Sequence, residues 1–242
     1  MQQNLHIFET PDEAARAIAE LILIESRAKS KQSLPFNLAV SGGNTPKLLF
    51  SILVNEFADE IPWHIIRLFW VDERCVPPTH PESNFGMTYE SLLKFVPIHD
   101  SNIFRMQGEI DPETEALRYA DLLDKELPIK NGIPQFDLIL LGMGDDGHTA
   151  SIFPDNLNLL HSDSTVSIGI HPTSGQKRIT LTGNTINQAT EVVFFITGSS
   201  KITVLQQIIQ QSGEYQKFPA SYIHSGTGQA EFYTDRSAAK DL

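Results

Sequence analysis

With one cysteine among 242 residues, Cys75, the chain can form no intrachain disulfide and cannot build a cysteine-rich metal cluster. That usage fits a reducing compartment. Positive charge is scarce as well: 18 Lys and Arg stand against 30 Asp and Glu, the formal net charge is −12, and no run of basic residues occurs. A polyanion would find no basic surface, which argues against nucleic acid as a partner. No stretch reaches the roughly 18 apolar residues of a membrane span. Met1–Phe8 has neither the basic nor the long apolar segment of a leader. Repeats, low-complexity tracts and a convincing linker are also lacking. The expectation is a soluble, cytoplasmic protein in which residues 1–242 form one domain, a monomer or homodimer with no membrane partner.

What is present is an alternation of strand-like and helix-like segments at 40% hydrophobic content, the pattern of an α/β protein with a mainly parallel sheet flanked by helices. Leu5–Phe8 reads as a first strand, and Thr10-Pro11-Asp12-Glu13 as a capping box that opens a helix to about Lys29. Phe36–Val40 is a second strand, followed by a helix through about Val54 with Pro46 at its start. Ile65–Val71 is a third, leading to Asp72-Glu73-Arg74, a polar loop from Pro77 to Ser83 and a helix around Met87–Lys94. From Asp111-Pro112 a helix presents Ala116, Leu117, Ala120, Leu123 and Leu127 as core. Phe136–Leu141 is apolar enough for a central strand buried on both faces. Strands near Thr165–Ile170, Arg178–Leu181 and Val192–Thr197, a helix carrying Ile202, Leu205, Ile208 and Ile209, and a last strand in Ala230–Leu242 complete the series.

Two strand ends carry glycine-rich turns. Ser41-Gly42-Gly43-Asn44-Thr45 joins a strand to a helix, where backbone N–H groups, two hydroxyls and the helix dipole can converge on an anion. An ordinary glycine turn with a threonine cap reads equally well there, and neither a Walker loop nor a dinucleotide fingerprint is present. Gly142-Met143-Gly144-Asp145-Asp146-Gly147-His148 delivers a histidine to the same edge. An imidazole titrates near pH 6.5 in water, so it can take a proton at neutral pH while a carboxylate orients it. Charges beyond a Debye length of roughly 8 Å are screened, so an anionic ligand depends on a few local cations. Arg74, Arg178 and Lys201 are the candidates, Lys201 because a lysine in a first helical turn opposes the dipole unless an anion is near; taken alone, Lys201 and Arg178 each read first as a solvated side chain. Asp145, Asp146 and His148 form an oxygen-rich set without metal-site spacing, so a metal is not favoured. His80, His99, His161 and His171 read as surface residues, and Cys75 as a half-buried bystander.

Taken together, Ser41-Gly42-Gly43-Asn44-Thr45-Pro46, Trp70-Val71-Asp72-Glu73-Arg74 with Ser83-Asn84, and Gly142–Pro154 resemble the 6-phosphogluconolactonase family. Arg178–Thr182, Thr197–Lys201 and Asp235–Ala239 match its later motifs in order, so the resemblance spans most of the chain. It implies a Rossmann-like fold shared with glucosamine-6-phosphate deaminase, and a pentose phosphate pathway esterase with no metal and no cofactor. On this resemblance His148 activates water against a 6-phosphogluconolactone carbonyl and Asp146 orients it. Arg74 steadies the oxyanion or the ring hydroxyls, and Asp72 positions Arg74 or a sugar hydroxyl. The phosphate is implied at Ser41, Gly42, Gly43, Asn44 and Thr45, with Arg178 and Lys201. The deaminase is the chief alternative. Its pattern has a tyrosine where this chain has Arg74, and a proton-relaying glutamate where it has Phe153. A sugar-phosphate sensor without catalysis is a further one.

Overall fold

Side chains alternate across a strand, and in the central strands of this protein both sets are apolar. In the computed structural model, which describes residues 4–242, Ala39, Phe69, Ile139, Leu141 and Phe194 point into one hydrophobic core. Their neighbours Leu38, Val40, Leu68, Trp70, Leu138, Leu140 and Phe195 point into a second. Residues 1–3, part of the stretch read for a leader, lie outside the described residues.

The elements run β1 (Asn4–Phe8), α1 (Pro11–Lys31), β2 (Phe36–Val40), α2 (Asn44–Glu56), β3 (Ile66–Trp70), β4 (Asp72–Arg74), α3 (Asn84–Thr88), β5 (Ile103–Phe104) and α4 (Pro112–Glu126). A hairpin of β6 (Ile129–Lys130) and β7 (Ile133–Pro134) precedes β8 (Leu138–Leu141), β9 (Val166–Ile170), β10 (Lys177–Leu181), α5 (Gly183–Gln188), β11 (Glu191–Ile196) and α6 (Ile202–Gln210). A second hairpin, β12 (His224–Ser225) and β13 (Gly228–Gln229), leads to β14 (Glu231–Asp235). Seven strands form one sheet in the order β1-β14-β11-β8-β2-β3-β5, parallel at every pairing. α1 and α2 cover one face, while α4 and α6 cover the other. This is the expected α/β, Rossmann-like architecture.

Local chemistry explains the starts. The Thr10 hydroxyl accepts from the Glu13 N–H at 3.2 Å, and the Glu13 carboxylate accepts from the Glu9 N–H at 3.0 Å. Asp111 accepts from the Thr114 N–H at 3.0 Å at the start of α4.

Some expectations differ. β9 and β10 leave the parallel sheet and pair antiparallel with the unanticipated β4, in the order β4-β10-β9. Leu117 is 73% exposed rather than core. The buried stripe of α4 runs through Ala116, Tyr119 and Leu123, and a step of 100° turns Leu117 out of it. The helix expected around Met87–Lys94 starts at Asn84 because Ser83 caps it, accepting from the Gly86 N–H at 3.0 Å. α2 starts at Asn44, so Pro46 is its third residue.

At the amino end of β11, burial and then the charges of Glu25 and Glu231 push the Glu191 carboxyl up to about 7. The folded protein keeps that proton where the unfolded chain, near 4.5, has lost it, so stability falls as pH rises between those values. Glu191→Gln is expected to raise the Tm at pH 8 by a few degrees, about 1 kcal/mol once screening of this partly exposed group is counted. The gap closes toward pH 5. Melting curves at the two pH values check this, and a variant melting lower at pH 8 contradicts it.

Candidate active site

In an open α/β sheet a crevice forms where the strand order reverses. Here the chain runs outward from β2 to β3 and β5, then returns to β8 on the other side of β2. At the carboxyl ends of these strands lies a cavity of about 230 Å³, lined by Ser41–Pro46, Asp72, Arg74, His148, Arg178 and Lys201 among others. Every site residue singled out in the sequence lines it, except Asp146, which reaches it through His148.

The turn after β2 fits its glycines in two ways. Gly43 takes a φ of 107° and precedes α2 without any side-chain cap, so the first N–H groups of the helix stay open to the cavity. Gly42 is needed for close approach: a Cβ there would stand 1.7 Å from Asn84 Oδ1. Gly42→Ala is expected to push the Asn84 carboxamide aside and reduce kcat/KM at least about tenfold, measured by steady-state kinetics. Parental kinetics would contradict it. The Ser41 hydroxyl, expected to meet an anion, instead donates to the Leu140 carbonyl at 2.8 Å. β2 and β8 lie side by side there, which makes that carbonyl the nearer acceptor. Thr45 and Thr197 bring their hydroxyls within 3.3 Å of each other.

The turn after β8 closes on itself, Gly144 N–H to His148 O at 2.9 Å and Gly147 N–H to Gly144 O at 3.0 Å. It sets His148 Nδ1 2.6 Å from Asp146 Oδ1. Burial would raise the Asp146 carboxyl, but the His148 ring, its charge and backbone N–H groups outweigh that and bring it down to about 2. Asp146 is therefore an anion at any working pH and can hold the Nδ1 proton, which leaves the lone pair on Nε2. On the same turn, Asp145 pairs with Lys201 Nζ and accepts from the Ser200 hydroxyl at 3.0 Å. This carboxylate is the anion that the lysine at a helix start calls for.

Arg74 and Arg178 face each other across the β4–β10 pairing. Among the described residues neither guanidinium has a carboxylate partner. Arg74 donates to the Glu82 carbonyl at 2.6 Å, and its buried Nε has no partner. Arg178 donates only to Gln176 Oε1, at 3.4 Å. Burial, then the like charge of Arg74, press Arg178 below the usual guanidinium range. The charges of Asp72 and Glu82 oppose that shift from beyond ion-pair distance, so two adjacent cations without a direct carboxylate contact offer a site for an anion.

Asp72 does not pair with Arg74, the first of the two roles the resemblance implies for it. Its two oxygens accept from Asn84 Nδ2 at 3.1 Å and from the Ser151 hydroxyl at 2.7 Å, because the turn that follows His148 packs behind β4. Glu73 is buried, where it accepts from the Ser83 hydroxyl and from the N–H groups of Arg74, Asn84 and Phe85 at 2.7–3.0 Å. Burial pushes its carboxyl up against those donors. Ser151 and the structural part of Glu73 were missed in the sequence; the only signal was Ser83-Asn84, a helix-capping pair lying after a strand that ends in two acids. His171, read as a surface residue, is partly buried with its ring 5.3 Å from that of Phe153. Cys75 is half-buried, and burial with the charge of Glu73 lifts its thiol to about 11, too high for a ready nucleophile. Among the described residues no group of three His, Cys, Asp or Glu side chains is placed to hold a metal ion, and no helix is long and apolar enough to cross a membrane.

Residues 9–232 match the family model described as glucosamine-6-phosphate isomerases/6-phosphogluconolactonase. A 6-phosphogluconolactonase of Treponema pallidum is 43% identical over 84% of this chain and 83% of its own. One from Haemophilus influenzae is 38% identical over 99% of this chain and 100% of its own. Among solved structures, the 6-phosphogluconolactonase of Trypanosoma brucei superposes with a TM-score of 0.87 at 29% identity, covering 100% of this chain and 99% of that one.

Proposed function

The chain belongs to the glucosamine-6-phosphate isomerase/6-phosphogluconolactonase family, and from that premise we infer that it hydrolyses 6-phospho-D-glucono-1,5-lactone to 6-phospho-D-gluconate in the pentose phosphate pathway. The observation that carries the reading is a histidine–carboxylate couple sharing one cavity with two unpaired guanidiniums and the open start of a helix. One side offers a base, and the other a seat for an anion.

His148 Nε2 takes a proton from water as its oxygen attacks the lactone carbonyl. Asp146 keeps the ring aimed through Nδ1 and stabilises the imidazolium that forms. When the carbonyl re-forms, the bond to the ring oxygen breaks and His148 returns the proton to that oxygen. Arg74, which lines the same cavity as His148, stabilises the developing oxyanion. The 6-phosphate lies against the N–H groups at Gly43–Thr45, with Arg178 and Lys201 adding positive charge. Lys201 leaves Asp145 for the phosphate as it binds. Asp72, held by Asn84 and Ser151, turns its remaining lone pairs to a sugar hydroxyl. The substrate needs no nucleic acid or membrane partner. The chain acts as one domain in the cytoplasm, as a monomer or homodimer.

The deaminase alternative lacks its proton relay, since Phe153 occupies the flank of His148 with its ring centroid 4.8 Å away. The deciding assay follows lactone disappearance above the spontaneous rate with a chelator present, beside ammonia release from glucosamine 6-phosphate. The expected result is rapid lactone loss and no ammonia. Ammonia release without lactone hydrolysis would overturn the reading.

A further inference from the structure

Phe153 has no polar atom to offer the reaction, yet two groups that carry it rest against its ring. After His148 the chain doubles back: Thr149 and Ile152 form an isolated antiparallel bridge, and Ala150 takes a left-handed φ of 49°. That conformation is uncommon outside glycine. It brings Phe153 against the imidazole five residues earlier, with centroids 4.8 Å apart and planes inclined at 43°. From the antiparallel sheet the Arg178 guanidinium carbon stands 5.6 Å from the same centroid. On another side the His171 ring meets Phe153 edge-on at 5.3 Å. The phenyl ring is 1% exposed, so close packing holds it in place.

Each neighbour lacks a fixed coordinate that this ring supplies. The bond from His148 Nδ1 to Asp146 restrains one edge of the imidazole, and the contact with Phe153 limits the swing of the ring about χ1 and χ2. Among the described residues Arg178 has no carboxylate within ion-pair distance, and its one hydrogen bond, to Gln176, is 3.4 Å long. A cation within about 6 Å of an aromatic centroid is drawn to the ring, so the phenyl group fixes the guanidinium from the side that Gln176 does not hold.

We propose that Phe153 is a positioning residue whose ring sets both the aim of the His148 imidazole and the place of the Arg178 guanidinium, and so the span between the attacked carbonyl and the phosphate. The inference rests on the roles given above to His148 and Arg178.

The test compares Phe153→Leu and the unbranched Phe153→Met with Phe136→Leu, which removes an equally buried ring that packs on Phe69. The readouts are kcat and KM on fresh lactone and inhibition by inorganic phosphate. Both Phe153 variants are expected to lose about tenfold in kcat, with a severalfold rise in KM and in the phosphate Ki. Phe136→Leu, of similar or lower Tm, is expected to stay within about twofold of the parent on all three. In an Arg178→Ala background, Phe153→Leu is expected to weaken phosphate inhibition no further, since its effect there runs through the missing guanidinium. Parental kcat and phosphate Ki in a folded Phe153 variant would overturn the proposal. So would equal losses in Phe136→Leu, or a full additional weakening on the Arg178→Ala background. A His148→Ala enzyme with parental kcat is a different failure, that of the base assignment itself.

Discussion

His148→Ala is expected to lower kcat for lactone hydrolysis by about 10²–10⁴-fold with KM little changed. The direction follows from where the imidazole sits. One nitrogen is held by Asp146 at 2.6 Å, and the other has its lone pair free to take a proton from water, a task that an alanine cannot assume. Charge stabilisation by Arg74 and phosphate anchoring survive the substitution, which is why substrate should still bind. Single-turnover and steady-state rates, corrected for spontaneous hydrolysis of the lactone, decide it. A variant retaining most of the parental kcat would remove His148 from the chemistry. Asp146→Asn is the companion measurement: it keeps a hydrogen bond but loses the anion, and a smaller loss than that of His148→Ala is expected.

Arg178→Ala should produce the second large effect, a fall of about 10²-fold or more in kcat/KM. The guanidinium is half-buried beside Arg74, and among the described residues no carboxylate is in direct contact with either, so its removal takes away a charge whose desolvation has already been met in the folded protein. The loss should be divided between KM and kcat, because a phosphate that is loosely seated no longer presents the carbonyl in one place. Arg178→Lys is expected to recover only part of the activity, since an ammonium offers a point charge in place of a planar fork. Kinetics of the two variants, with inorganic phosphate as inhibitor, test this. Unchanged KM and unchanged phosphate inhibition in Arg178→Ala would move the phosphate elsewhere.

Much of this molecule is legible in its sequence because the relevant signals are local. Phe136–Leu141 is apolar throughout, and it is the strand β8 with buried faces on both sides. Thr10 and Asp111 announce helix starts through their own side chains. The two glycine turns were recognisable because both end apolar strands, and the fold brings those strands together as neighbours. What escaped depends on contacts far apart in the chain. Nothing near Asp72 shows that Ser151, 79 positions on, claims one of its oxygens, or that Asn84 claims the other. The pairing of β10 with a three-residue β4 is equally non-local. Ser41 illustrates the limit most clearly: its hydroxyl was assigned to an anion by the pattern of its loop, while the acceptor it meets belongs to a carbonyl 99 residues away. Leu117 failed for another reason, since one residue's error in helical phase is enough to exchange core for solvent.

The pairing of the first strand with the last has a consequence for biosynthesis. β1 sits at the rim of the sheet and, among the described residues, pairs with no strand other than β14, with Asn4 opposite Glu231 and Phe8 opposite Asp235. On the ribosome β1, made before the other described strands, must therefore wait until β14 has emerged before it can dock, whereas β2, β3, β8 and β11, which frame the cavity, can already have met. Closure over so long a loop is slow. The catalytic centre is thus able to assemble before the margin of the protein is sealed.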